Sequence, residues 1–98
     1  MTSKAHILHV LRHHKDNISL MGVSRIGLFG SYRNNRATQQ SDIDLLVEFD
    51  ADKETFDNLM ALYDFLETVF EGEKVELVTT NGLSPYIGPH IVNEVEYA

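Results

Sequence analysis

The sequence predicts an α/β domain, because short apolar runs typical of strands alternate with longer amphipathic segments typical of helices. The runs with the length of strands are residues 23–29, 43–49 and 75–79. Apolar residues recur at helical spacing in residues 3–15 and 55–70. A chain of 98 residues has the length of one small domain, which we expect to span residues 1–98.

Composition excludes several classes of protein. A net charge of −7 disfavours a broad surface for duplex nucleic acid, because phosphate backbones attract basic faces. The chain contains no cysteine, which excludes disulfides, thiolate zinc sites and cysteine nucleophiles. We expect a cytoplasmic protein without a membrane span, since no stretch reaches the roughly 18 apolar residues that a span needs and the N-terminus lacks an apolar signal core.

The first predicted helix, residues 3–15, carries a row of histidines. Ser3 is placed to cap this helix, and His6, His9 and His13 lie beside its apolar stripe. The spacing of His9 and His13 suits two metal ligands, but a zinc site needs a third or fourth ligand and no cysteine can supply one. We favour a solvated or partner-facing histidine patch.

A Gly-Ser pair follows the first strand. Residues 17–22 are predicted to connect the first helix to strand 23–29, in which Gly27 indicates a close approach by another backbone. Gly30 permits unusual backbone angles at the strand end. Ser31 is placed to cap a helix whose first N–H groups would bind an anion, so the pair predicts a phosphate-binding corner.

The next segment, residues 32–40, is predicted to hold a short helix and a loop. It carries Arg33 and Arg36, two of the eight basic residues of this acidic chain. Two interpretations remain open for these cations, which either contact a triphosphate or are simply solvated.

Two carboxylates, Asp42 and Asp44, stand at the start of the second strand. Alternate strand residues share a face, so both side chains point the same way. Like charges so close repel each other, and one pKa should rise unless a cation lies between them. Hard oxygen ligands suit magnesium, which also binds phosphate oxygens. The strand continues with Leu45, Leu46 and Val47, which indicates a central strand covered on both faces.

The remaining elements follow from the same patterns. Thr55 is placed to cap the helix that ends before Gly72, and its predicted core stripe comprises Phe56, Leu59, Met60, Tyr63, Leu66, Val69 and Phe70. Glu76 interrupts the apolar strand 75–79. It either presents a third carboxylate beside Asp42 and Asp44 or faces solvent on an edge strand. A turn-rich stretch, residues 80–89, precedes a short predicted helix, residues 89–95.

Together these features predict a site for a metal-bound nucleoside triphosphate. Carboxylates facing a Gly-Ser corner could hold two Mg²⁺ ions, which stabilise both the attacking and the leaving oxygen of an in-line displacement. Positioning and charge neutralisation supply most of the catalysis in such reactions. The pattern therefore indicates nucleotidyl transfer to a hydroxyl with release of pyrophosphate.

The chain resembles the minimal nucleotidyltransferases of the DNA polymerase β superfamily, the small antitoxins encoded beside HEPN-domain toxins. The resemblance covers nearly the whole chain. Its motifs are Phe29-Gly30-Ser31, then after ten residues Asp42-Ile43-Asp44-Leu45, then Lys74-Val75-Glu76-Leu77-Val78-Thr79, then Leu83-Ser84-Pro85-Tyr86-Ile87 with Pro89 and Ile91. It departs from the family pattern at Asn34-Asn35, where Arg-Gly is usual, and at Glu76, where Asp is usual.

The resemblance implies a polymerase β-like fold, a small mixed β-sheet backed by helices. It implies Mg²⁺ and an ATP-like substrate, with AMP transferred to a tyrosine of a cognate HEPN toxin. By this analogy Asp42, Asp44 and Glu76 are the catalytic metal ligands, and Gly30 and Ser31 bind phosphate.

The sequence leaves two functions open. The first is an adenylyltransferase that modifies its partner. The second is a binding module that neutralises the partner by contact and carries a weak or inactive nucleotide site. A chain this small is also expected to leave apolar surface for a partner or for a second copy of itself.

Overall fold

The computed structural model describes residues 3–34, 36–38, 41–82 and 88–98, within which four strands form one mixed sheet. The helices are α1 Lys4–His13, α2 Lys15–Leu20, α3 Gly30–Arg33, α4 Phe56–Val69 and α5 Gly88–Glu94, with a 3₁₀ turn at Thr80–Gly82. The strands are β1 Val23–Phe29, β2 Ile43–Phe49, β3 Val75–Thr79 and β4 Glu96–Tyr97. The predicted mixed α/β architecture is confirmed.

The sheet has the strand order β3-β2-β1-β4. β1 runs antiparallel to both β2 and β4, whereas β3 runs parallel to β2. The parallel pair requires a long crossover, and α4 provides it. At one end of the strands, this arrangement brings together the starts of β2 and β3 and the end of β1.

β2 is the central strand, as its apolar composition predicted. Leu45, Leu46 and Val47 are all fully buried. Leu45 and Val47 belong to the main core cluster, which also contains buried residues of α1 and α4. Leu46 is not part of that cluster and lies on the opposite face of the sheet, because successive strand residues alternate between faces. Both faces are therefore covered at the middle of β2.

The N-terminal helix is interrupted where one continuous helix had been predicted. The Ser3 cap is confirmed, since its hydroxyl accepts a hydrogen bond from the backbone N–H of His6 at 3.2 Å. Helix α1 ends before His14, whose backbone angles leave the helical region, and α2 occupies most of the predicted connector. Ile18 of α2 is buried, which the local periodicity did not indicate.

Helix α4 begins where it was predicted, and most of its predicted core stripe faces the core. The members that are buried in the core or packed against it are Leu59, Tyr63, Leu66, Val69 and Phe70. Thr55 caps the helix by accepting from the backbone N–H of Asn58 at 3.1 Å. Phe56 and Met60 were predicted to be core residues but are 76% and 41% exposed, whereas Leu62 is fully buried. At about 100° per residue, Met60 lies about 200° from Leu62 around the helix, so the two cannot share one face.

The C-terminal segment packs closely against the sheet. A Cβ on Gly27 would lie 3.1 Å from the backbone carbonyl oxygen of Glu96, which confirms the close approach by another backbone predicted at this glycine. It would also lie 2.5 Å from Val95 Cγ2. Strand β4 was not predicted, because a two-residue strand has no periodicity of its own. Of the predicted turn-rich stretch, residues 80–89, the part at residues 83–87 lies outside the described residues. None of the described helices has both the length and the apolar character needed to cross a bilayer.

Candidate functional site

Gly30 forms a sharp corner between β1 and α3. Its φ is +75°, a left-handed conformation that glycine adopts without steric cost. A Cβ at this position would overlap the carboxylate of Asp44, whose Oδ2 is the nearest atom to it. The carboxylate of Asp44 therefore occupies the space that the missing side chain leaves open. The unusual backbone predicted for Gly30 is confirmed, and so is the closeness of this corner to the acidic strand.

Ser31 is the second residue of α3 rather than its cap. The capping position belongs to Phe29, which provides no side-chain hydrogen bond. The cap predicted for Ser31 is therefore wrong, because the helix begins at Gly30, two residues before the start that a cap at Ser31 would give. Ser31 lies directly beside Gly30, and its backbone carbonyl accepts a hydrogen bond from the N–H of Arg36 at 2.8 Å.

The carboxylates of β2 and β3 lie side by side at the start of these two strands. Asp44 pairs with Phe29 of β1 on one side and with Glu76 of β3 on the other. Paired residues of neighbouring strands project from the same face, so Glu76 lies beside Asp44. Of the two interpretations left open for Glu76, the structure combines both: this side chain is exposed on an edge strand, and it neighbours the Asp44 carboxylate.

The three acids form an electrostatically coupled cluster. The pKa of Asp44 is raised first by its partial burial, then by the negative charges of Asp42 and of Glu76. Asp42 forms an ion pair with Lys74, whose Nζ lies 4.0 Å from Oδ2 and whose side chain is 76% exposed. Such an exposed ion pair contributes little to stability, and it neutralises little of the charge of Asp42. The cluster therefore keeps an excess of negative charge, as the sequence predicted for carboxylates without a cation between them.

The raised pKa of Asp44 predicts how stability depends on pH. Between the ordinary pKa of an Asp and the raised value, the folded state binds a proton that the unfolded state has lost, so stability falls as pH rises through this window. The variant Asp44→Asn removes this contribution. We expect the variant to be more stable than the wild type at neutral pH, and the difference to shrink as the pH falls through the raised pKa. Urea unfolding at a series of pH values measures it, and a difference independent of pH would contradict the expectation.

The cluster offers donors for a metal but not a closed ligand set. No group of three His, Cys, Asp or Glu side chains within the described ranges is arranged to hold a metal ion. The chemistry of the donors nevertheless fits a hard divalent cation, since carboxylate oxygens are the ligands that Mg²⁺ prefers. The excess negative charge around Asp44 also favours the binding of a cation. Asp42, Asp44 and Glu76 thus provide donors of the type that the predicted ion takes, although the described residues do not arrange three of them around one position.

The two arginines near the corner lie in different surroundings. The Nε atom of Arg33 lies 3.5 Å from Oε1 of Glu96, a residue of β4 that sequence analysis did not single out. Arg36 is exposed, and it forms no ion pair with any residue that the structure describes. Its backbone contact to Ser31 keeps it beside the Gly-Ser corner. Nothing local in the sequence signals the contact to Glu96, because it depends on β4 pairing with β1.

Two other features lie away from the acidic cluster. A cavity of about 300 Å³ opens between the N-terminal helices, β1 and the C-terminal residues, and none of the predicted site residues lines it. On α1, the rings of His9 and His13 stack with centroids 6.2 Å apart, and His14 packs edge-on against Phe65. His9 and His13 are exposed, as expected for a solvated patch.

The known proteins that this chain is similar to are nucleotidyltransferases by their descriptions. A family model described as a nucleotidyltransferase domain matches residues 11–98. A candidate protein adenylyltransferase of Methanocaldococcus jannaschii is 35% identical over 100 residues, covering 99% of each chain. Among solved structures, a candidate minimal nucleotidyltransferase is similar with a TM-score of 0.74 and 29% identity, over 91% of this chain and 93% of that one. A toxin–antitoxin structure with AMP-PNP is similar with a TM-score of 0.68 and 27% identity, over 98% of this chain and 72% of that one.

Proposed function

This chain belongs to the nucleotidyltransferase domain family, as a minimal nucleotidyltransferase, and we propose that it transfers AMP from ATP to a hydroxyl of a partner protein. The observation that carries the proposal is the Asp44 carboxylate lying against Gly30, with Asp42 and Glu76 acting on its charge. A triphosphate bound at this corner would have its reacting phosphorus beside the acids. The adenylyltransferase name of the relative and the AMP-PNP in the similar toxin–antitoxin structure support ATP as the donor.

Asp42, Asp44 and Glu76 would hold Mg²⁺, with two ions as the expected number. When bound, Mg²⁺ neutralises the triphosphate and the departing pyrophosphate. The pairing of β2 with β3 places the carboxylates of Asp44 and Glu76 side by side, and this determines where the ions would bind. Glu76 is one methylene longer than Asp, and it is exposed at the position of β3 that pairs with Asp44.

The phosphates would be bound by the corner between β1 and α3. Gly30 lets the backbone approach closely because it lacks a side chain, and Ser31 offers a hydroxyl and a backbone N–H. Arg36 supplies the cation, since it is exposed and its backbone is held at Ser31. In the reaction, the acceptor oxygen forms a bond to the α-phosphorus, the bond from this phosphorus to the oxygen bridging the α- and β-phosphates breaks, and pyrophosphate leaves. The acceptor proton passes to a carboxylate of the cluster.

The acceptor that we propose is a tyrosine of a HEPN-type toxin, which makes this chain an antitoxin. The similarity to a solved toxin–antitoxin structure supports a toxin as partner. The net charge of −7 disfavours a nucleic acid acceptor. Apolar side chains left exposed, such as Leu20 at 86% and Phe56 at 76%, are also consistent with a partner surface.

A transfer assay tests this function. The purified chain is incubated with the toxin encoded beside it, MgCl₂ and ATP labelled at the α-phosphate. We expect label on the toxin that is lost when the chain carries Asp42→Asn, when Mg²⁺ is chelated, or when the acceptor tyrosine of the toxin is changed to Phe. If the Asp42→Asn chain still neutralises the toxin and no label is transferred by either form, neutralisation occurs by contact and the enzymatic proposal is wrong.

A further inference from the structure

Glu96 of β4 bridges two cations from distant parts of the chain. Its Oε1 atom lies 3.1 Å from Nζ of Lys4, at the start of α1, and 3.5 Å from Nε of Arg33, at the end of α3. Each of the three side chains is about one-third exposed. A single carboxylate thus connects the N-terminal helix and the C-terminal strand to the short helix that contains Gly30 and Ser31.

The Arg33 side chain depends on this carboxylate. Its Nε atom is buried and forms no hydrogen bond with any residue in the described part of the chain. A buried donor without a hydrogen bond is unfavourable, and a charged one is more so unless a counter-charge is near. Within the same residues, the ion pair with Glu96 is the one that compensates the guanidinium. Without that carboxylate, the guanidinium of Arg33 would have no ion pair among the described residues.

The acidic cluster is close to Arg33 in the chain, but it lies on the other face of the sheet. Phe29 pairs with Asp44, whereas the preceding residue, Leu28, pairs with Glu96. Because neighbouring strand residues point to opposite faces, Asp44 and Glu96 project from opposite faces. Arg33 follows Gly30 by three residues, and Gly30 touches Asp44. A cation close in the chain to the cluster is therefore held by a carboxylate on the far side.

We infer that Glu96 is a positioning residue that keeps the guanidinium of Arg33 away from the Asp42–Asp44–Glu76 cluster. The acids then remain free for a divalent cation, instead of being neutralised by an internal arginine. The consequence for catalysis rests on the proposed function, because it requires these acids to bind a metal. The placement of Arg33 itself does not depend on that function.

A double-mutant cycle on divalent-cation binding tests the inference. Mn²⁺ binding to the full chain is measured by electron paramagnetic resonance in the wild type, Glu96→Gln, Arg33→Gln and the double variant. We expect Glu96→Gln to weaken Mn²⁺ binding about three- to fivefold, the competition expected of a partly exposed ion pair. In the Arg33→Gln background the same change should have no effect, because no arginine is left to compete. A loss of affinity that is equal in both backgrounds would show a merely structural role and overturn the inference.

Lys4→Gln provides the matched control. It removes the other cation on Glu96 and leaves Arg33 paired, so Mn²⁺ affinity should stay at the wild-type value. A decrease as large as that of Glu96→Gln would show that the bridge as a whole, rather than the position of Arg33, matters. Glu96→Asp, which keeps the charge and shortens the side chain, should give a smaller decrease and replaces Glu96→Gln if that variant does not fold.

A second measurement needs no metal. In nuclear Overhauser spectra of the metal-free chain, the Arg33 side chain should contact Glu96 in the wild type and Asp44 in Glu96→Gln. If Arg33 moves in this way but no form binds Mn²⁺, the placement inferred for Arg33 stands and the proposed function fails. If Arg33 does not approach Asp44 in the variant, the inference is wrong whatever the metal affinity.

Discussion

Replacing Asp44 with Asn is expected to lower the rate of AMP transfer about a thousandfold while the chain remains folded. The carboxylate lies against Gly30 and is coupled to Asp42 and Glu76, so it is central to the charge that would hold Mg²⁺ and a triphosphate. Loss of a metal ligand removes several kcal/mol of transition-state stabilisation, and about 4 kcal/mol corresponds to a thousandfold. Initial rates of label transfer at saturating ATP measure the effect.

Glu48→Gln is the matched control for this variant. Glu48 projects from the same face of β2 as Asp44, but Arg25 holds its carboxylate by two hydrogen bonds at 3.2 Å each. This carboxylate has no part in the proposed site, so the variant should transfer AMP at close to the wild-type rate. A similar loss in both variants would mean that the general charge of β2 matters and would contradict the specific role of Asp44.

Replacing Gly30 with Ala is expected to lower transfer about a hundredfold and to destabilise the fold. A left-handed conformation costs a residue with a Cβ roughly 1–2 kcal/mol. The added methyl group would also overlap the carboxylate of Asp44, which must then move. Displacement of a reacting group by about 1 Å can cost about a hundredfold in rate. Chemical unfolding and the transfer assay measure the two effects separately.

Gly72→Ala separates strain from displacement. Gly72 has a φ of +83°, close to that of Gly30, but a Cβ there would meet no atom within 4 Å. This variant should show a similar loss of stability and no loss of transfer at a temperature where it is folded. If Gly30→Ala were destabilised to the same extent and still active, the contact between this corner and Asp44 would not be required for the reaction.

Local patterns in the sequence predicted the parts of the fold that repeat over several residues. The bounds of β1, β2 and β3 agree with the predicted runs, because burial of one or both faces of a strand leaves a clear apolar pattern. Prediction and structure agreed less well where the sequence pattern is weak, or where the buried face of an element depends on what it packs against. The face that α4 turns to the core includes Leu62 rather than Met60, because the helix lies against a sheet that its own periodicity does not locate.

The candidate site divides in the same way. Gly30, Asp42 and Asp44 could be proposed from the sequence, because a glycine at a strand end and two acids on one face have direct consequences for backbone geometry and charge. The third acid required a pairing between strands that are far apart in the chain, and the sequence left two interpretations of Glu76 open. The restraint of Arg33 by Glu96 was not predicted, since β4 is too short to be recognised.

The sequence by itself determined the three longer strands, the glycine corner and the repulsion between two neighbouring aspartates, all of which follow from interactions between residues close in the chain. Only the tertiary structure decided that Glu76 lies in register beside Asp44 and that Glu96 holds Arg33 on the other face. The physical reason is that strand pairing brings together residues separated by 30 or more positions, and backbone hydrogen bonds between strands carry no mark in the local sequence of either partner.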